Sequence, residues 1–137
     1  MNRLWPCLLL VLSLPVSAAG AAPSYVGTWF GTSQPYDKGA MYIDHMLANG
    51  EIHSQFRTCR NGKPLDDTED GFWSEAGGTM TIRVAAHDGL PAPRIDVYRI
   101  VSFSGDRFSE IYLRLNYPYQ PRRVDDGFKM PSCEFVS

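Results

Sequence analysis

Apolar and polar residues alternate along most of the chain beyond residue 25, and glycine-containing pairs break the alternation at intervals. Asn49-Gly50, Gly77-Gly78 and Gly105-Asp106 are each a two-residue hairpin signal between β-rich runs. The pattern predicts eight strands, at about 25–33, 39–48, 51–60, 71–76, 79–87, 94–104, 107–116 and 122–130. No segment sustains a 3.6-residue apolar period with caps, and Pro and Gly recur too often for a long helix after the first 21 residues. A meander of this kind leaves two unpaired edges unless its first strand meets its last, and closure removes both. The predicted fold is therefore all-β, an eight-stranded antiparallel up-and-down barrel.

Two-residue turns also predict which side chains share a face, because the side-chain period of a strand is two. A turn at 49–50 puts Met41, Ile43, His45 and Leu47 on one face with Ile52, Ser54, Phe56 and Thr58, and this is the predicted interior. Tyr42, Asp44, Met46, His53, Gln55, Arg57 and Cys59 fall outside. The turn at 105–106 groups Tyr98, Ile100, Ser102, Ser109, Ile111, Leu113 and Leu115 inside, against Arg99, Val101, Phe103, Phe108, Glu110, Tyr112 and Arg114. The turn at 77–78 directs Trp73, Met80, Ile82 and Val84 inward, with Phe72, Ser74, Thr81 and Arg83 outward. An eight-stranded interior is filled by side chains or holds one small ligand.

The first 21 residues read differently. Met1-Asn2-Arg3 is a short basic start, Leu8 to Leu14 is apolar apart from Ser13, and Ala19-Gly20-Ala21 has the small-x-small form of a cleavage site. Residues 1–21 are expected to be a secretory signal peptide and 22–137 a single domain. That domain has 137 − 21 = 116 residues and, with Arg3 removed, a charge of 12 − 15 = −3. Neither nucleic acid nor an anionic membrane surface is the expected partner of an acidic domain. No later stretch approaches the roughly 18 apolar residues of a membrane span. The expected location is periplasmic or secreted. Cys7 falls within the signal; the residues before it are not the small ones that precede a lipid-anchored cysteine. Cys59 and Cys133 are left as a pair in an oxidising compartment, and one disulfide between them is expected.

The first predicted strand carries Gly27-Thr28-Trp29-Phe30-Gly31, and Arg122-Arg123-Val124 opens the last; a second Gly-x-Trp, Gly71-Phe72-Trp73, begins the fourth. This arrangement resembles the lipocalin and calycin families, and in particular small bacterial lipocalin-like proteins. The resemblance implies that Trp29 plugs one end of the barrel and that Arg122 or Arg123 covers it as a cation-π partner. The domain is shorter than a typical lipocalin and shows no C-terminal helix. Gly27 to Phe30 is compatible with avidins as well, although no later set of biotin-contacting positions accompanies it.

Candidate chemistry is sparse. The predicted register puts His45 and His53 on opposite faces, which separates them as metal ligands, and leaves Asp44 and His53 as a surface pair. His87, in His87-Asp88-Gly89, reads as a solvated turn residue. The acidic run Asp66-Asp67-Thr68-Glu69-Asp70 lacks the ordered spacing of a calcium loop and reads as a solvated connection. No nucleophile elbow, Walker A loop or zincin helix is present. Neither an enzyme nor a bound metal or cofactor is expected. The expected function is binding of a small, mostly apolar molecule inside the barrel, contacted by Met41, His45, Ser54, Phe56, Tyr98, Ser102 and Ser109. The alternative is a solid barrel acting through its outer surface on a protein partner, as an inhibitor or envelope-assembly factor, with Tyr117, Tyr119, Phe103, Phe108 and Tyr112 exposed.

Overall fold

The computed structural model describes residues 24–135, so the expected signal segment 1–21, with Cys7, lies outside the described residues. The described chain is all-β and antiparallel. Its strands are β1 (Gly27–Gln34), β2 (Asp37–Met46), β3 (Glu51–Arg60), β4 (Lys63–Ala76), β5 (Thr79–His87), β6 (Leu90–Phe103), β7 (Phe108–Tyr112), β8 (Tyr117–Tyr119) and β9 (Arg122–Val124). They form one strongly curled sheet of order β8-β7-β6-β5-β4-β3-β2-β1-β9. Nine strands replace the eight expected because Tyr117–Tyr119, between the seventh and eighth predicted strands, pairs with β7 as β8, and two predicted strands also change in length. The acidic run belongs to β4, paired along its length with β3, and is not a solvated connection. The last predicted strand is short: only Arg122–Val124 pairs with β1, and the chain beyond leaves the sheet.

Curling brings the two ends of the sheet together. β8 pairs with β7 and β9 with β1, and only Gln120 and Pro121 separate β8 from β9. Arg107 bridges Arg122 three residues along from the Glu110–Tyr119 pair on both strands, so β9 prolongs the line of β8. Tyr119 Oη donates to Gln34 Oε1 at 2.8 Å, and the Ser33 and Tyr117 hydroxyls meet, both across the gap between β8 and β1.

The register corrects two predicted faces. Around Asn49-Gly50 the pairs are Met46–Ile52 and Asp44–Ser54, so the loop holds one residue more than a two-residue turn. A one-residue slip reverses a strand. Tyr42, Asp44 and Met46 consequently face inward with Ile52, Ser54 and Phe56, while Met41, Ile43 and His45 face outward. The Gly105-Asp106 turn has the expected two residues, since Ser104 N donates to Arg107 O at 2.9 Å. A bulge at Val101 then shifts the register, with Ser102–Ser109 paired on one side of it and Ile100–Glu110 on the other. Phe103, Phe108, Glu110 and Tyr112 therefore join Tyr98 and Ile100 inside, and Ser102, Ser109, Ile111 and Leu113 do not. The Gly77-Gly78 hairpin pairs Trp73 with Ile82 and Glu75 with Met80, the register read from the sequence.

Two apolar clusters hold the sheet. Tyr25, Trp29, Met46, Ile52, Met80 and Phe108 are buried together inside, with Trp73, Ile82, Tyr98, Ile100 and Phe103 packed on them. The rings of Tyr25, Trp29 and Phe108 meet edge to face at 4.8 and 5.4 Å. The outward Phe30, Met41 and Ile43 form the second cluster, covered by Val124, Phe128 and Met130. The C-terminal segment thus serves as a strap over the outer face of β1 to β3. It ends in the short 3-10 turn Cys133–Phe135, where Cys133 reaches Cys59 at disulfide distance, with Cα atoms 5.5 Å apart.

Candidate functional site

The inward side chains divide the interior into two halves. Near the 47–50, 77–78 and 104–107 turns it is filled by the Trp29 cluster. Toward the opposite end it opens into a cavity of about 420 Å³. The alternation of each strand delivers the lining: Tyr42 and Asp44 from β2, Ser54, Phe56 and Thr58 from β3, Asp67 and Glu69 from β4, Ile82 and His87 from β5. Arg94, Asp96 and Tyr98 from β6, Glu110 and Tyr112 from β7 with Arg114 just beyond it, Tyr119 from β8, and Gln34, Pro35, Tyr36 and Ala40 around the β1–β2 turn complete it.

Trp29 lies in the packed half of the interior and is 0 % exposed. Its indole Nε1 donates to Tyr25 O at 2.8 Å. The Arg123 guanidinium stands 4.2 Å from the Trp29 ring centroid and donates to Ser24 O, Val26 O and Gly105 O at 2.7–2.9 Å. Arg122 instead faces outward, 5.1 Å from Phe30 and 5.4 Å from Phe128. Of the two arginines, Arg123 is the one on Trp29.

The polar wall of the cavity is organised around carboxyls. Arg94 donates to both oxygens of Glu69 at 2.9 and 3.0 Å and to Asp96 Oδ2 at 2.8 Å. Tyr112 Oη donates to Asp96 Oδ1 at 2.8 Å, and Arg114 stands 3.8 Å from the same oxygen. Asp44 is held differently. It accepts the Ser54 hydroxyl at 2.5 Å, and burial pushes its carboxyl up to about 6 against that bond, with Glu69 adding to the rise. Glu110 is pushed up to about 8, by burial first and by Asp44 second. The phenols of Tyr42 and Tyr98 are raised well above their ordinary value, burial again coming first. Asp67 is also raised, by burial above all, and His87 Nε2 lies 3.6 Å from it.

Of the residues expected to contact a ligand, the structure gathers Ser54, Phe56 and Tyr98 in the cavity. Met41 is buried under the strap, outside the sheet. His45 faces outward too, its Nδ1 3.0 Å from Thr28 Oγ1, which donates to Asp126 Oδ1 at 2.7 Å. Ser102 is exposed and Ser109 lies on the outer side of the Val101 bulge. His45 and His53 are direct cross-strand neighbours on the outer face, not on opposite faces. His53 Nδ1 is engaged with Asp70 at 2.6 Å, so the outer partner of His53 is Asp70 and not Asp44. His87 lines the cavity mouth, within 3.4 Å of Glu69, where a solvated turn was expected.

Sequence reasoning missed Asp44, Glu69, Asp96, Glu110 and the tyrosines facing them. A charged residue at an inward position looks outward to any rule that equates interior with apolar. The acidic run in β4 carried a usable signal, because Asp67, Glu69, Gly71 and Trp73 have the period of two expected of one strand face. Among the described residues no group of three or more His, Cys, Asp or Glu is placed to hold a metal ion. No helix among them is long and apolar enough to cross a membrane. The chain matches no model of a known protein family, and no curated protein matches it.

Proposed function

We propose that this protein is a periplasmic or secreted binding protein that takes one small molecule into the open half of a lipocalin-like barrel. The observation that supports the reading is the division of the interior, with one half packed around Trp29 and a cavity of about 420 Å³ in the other. Such a volume lies within the range of small-molecule sites. We read β8 and β9 as one interrupted strand lying between β7 and β1, and the curled sheet as a barrel of eight strand lines. The contact of the Arg123 guanidinium with the Trp29 ring supports the lipocalin-like reading. The Cys59–Cys133 pair suits an oxidising compartment. Phe56, Ile82 and Tyr98 offer surface to an apolar body, but the rest of the wall asks for polar groups, so a purely apolar ligand is a poor match.

Native mass spectrometry of the full chain purified from its source, beside the cavity-filling variant Thr58→Trp, tests the reading. A small molecule should accompany the parent protein and be lost from the variant. A parent protein that is repeatedly empty, and that binds no aromatic or aliphatic probe, removes the proposal.

A second reading has an observation of its own. Phe72, Arg83 and Ile95 lie side by side on the outer face of β4, β5 and β6, and Phe72 and Ile95 are 48 and 58 % exposed. On this reading the strip, bordered by Pro91 and Pro93, serves as a protein-docking surface. The aromatics first expected to form such a surface do not, since Phe103, Phe108, Tyr112 and Tyr119 point inward.

A further inference from the structure

The cavity wall carries the carboxyls Asp44, Asp67, Glu69, Asp96 and Glu110 against the guanidiniums Arg94 and Arg114. Those two cations are already taken. Arg94 is bonded to Glu69 and Asp96, and Arg114 lies beside Asp96. Asp67 has His87 for a neighbour. Asp44 and Glu110 remain, and among the described residues no Lys, Arg or His lies within ion-pairing distance of either. Asp44 has the Ser54 hydroxyl as its hydrogen-bond donor.

A second feature of the same wall is incomplete. Tyr42 stands two residues before Asp44 on the same inward face, is 5 % exposed, and its hydroxyl has no hydrogen-bond partner. Buried polar groups are otherwise paired. The rings beside the two carboxyls are those of Tyr42, Tyr98 and Tyr119, with Tyr42–Tyr119 and Tyr98–Tyr119 centroids 5.7 and 6.2 Å apart. Tyrosine faces attract cations through the ring quadrupole. A bound cation favours the ionised form of both carboxyls, which burial disfavours, whereas an anionic ligand opposes it and a neutral one leaves it without compensation. The carboxyls do not converge as a metal-ligand set, and aromatic walls favour an organic ion over an inorganic one.

We propose that the molecule taken into the cavity is an organic cation, an amine or quaternary ammonium recognised by Asp44 and Glu110, with its organic body against Tyr98 and Tyr119. The assignment rests on interior binding and names its ligand class. Calorimetric titration of the full chain with phenethylamine, phenethyl alcohol and phenylacetate tests it. These probes share an aromatic body and differ in charge. The ammonium should bind about tenfold tighter than the alcohol, the margin expected of a charge-assisted contact in a partly desolvated site. Phenylacetate should bind weakest. Asp44→Asn with Glu110→Gln should abolish the preference while leaving the alcohol's affinity in place, and the parent comparison stands without any variant if the double variant does not fold. Equal or tighter binding of the alcohol or the acid overturns the assignment and leaves interior binding intact. No binding of any probe by a protein that also purifies empty overturns both.

Discussion

The Arg123 guanidinium caps the Trp29 indole at 4.2 Å while its N–H groups are spent on three backbone carbonyls, from Ser24, Val26 and Gly105. One side chain thus joins the N-terminal segment, the β6–β7 turn and the packed core around Trp29. Trp29→Ala should cost about 3 to 5 kcal/mol, as removal of a large core side chain does. Arg123→Ala should cost less, about 1 to 2 kcal/mol, and Arg123→Lys should recover little because a point charge cannot reproduce the fork. Chemical denaturation of both single variants and the double variant measures the coupling. Small, additive losses would place Trp29 outside the load of the core.

The strap over β1 to β3 depends on its far end. Met41 and Ile43 are almost wholly buried on a face that would otherwise meet solvent, and Phe128 and Met130 cover them. Arg57 adds polar anchorage, donating to Pro131 O at 3.0 Å and to both oxygens of Asp66 at 2.7 Å. A Cys59–Cys133 bond across a separation of 74 residues should stabilise the fold by up to about 4 kcal/mol on chain-entropy grounds. A non-reducing peptide map of exported protein should contain the linked peptide. Cys133→Ser should lower stability and expose the segment after Val124 to proteolysis before the sheet. Free alkylation of both thiols without reduction would contradict the bridge.

The hairpin at Gly77-Gly78 was legible because its turn has two residues and its inward set, Trp73, Met80, Ile82 and Val84, is apolar. At Asn49-Gly50 the same rule fails by one residue, and nothing in the local sequence separates a two-residue loop from a longer one built on the same pair. The error then runs along all of β2, exchanging His45 for Asp44. Val101 causes the corresponding reversal in β7, since a bulge is a backbone event with no residue type of its own. The all-β antiparallel class survived both slips because alternation and turn spacing do not depend on register, although the count of eight strands did not. The site did not survive them, because it is built from the charged positions that the reversed faces had assigned to solvent.

Gly31 of β1 packs directly against Tyr42 of the cavity wall. A Cβ placed there would overlap the ring of Tyr42, its partner in the β1–β2 register. Gly31→Ala should therefore destabilise the protein by about 1 to 3 kcal/mol, as overpacking does in a well-filled interior. Tyr42→Leu in the same chain should restore part of the loss by vacating the space. Thermal melts of the single and double variants decide it, and a double variant no better than Gly31→Ala would locate the strain elsewhere.

Stability should also fall as pH rises, for a reason that lies inside the cavity. Glu110 has its folded-state value raised from 4.5 to about 8, by burial and then by Asp44, and Asp44 has its own raised from 3.8 to about 6. Tyr98 and Ile100 on β6 and Tyr119 on β8 flank Glu110 and supply no positive charge. For a raised acid the folded state binds more protons than the unfolded chain between the two values, so the slope of unfolding free energy against pH is negative. The loss begins near the unfolded value of 4.5 and is complete near 8. Glu110→Gln removes the ionisation, and it should be the more stable protein above about pH 8 by on the order of 2 kcal/mol while matching the parent below about pH 4. Denaturation curves at those two pH values test the sign directly. Parallel curves for parent and variant would show that Glu110 ionises in the folded state as easily as in water, and the cavity would then be far wetter at that wall than its burial implies.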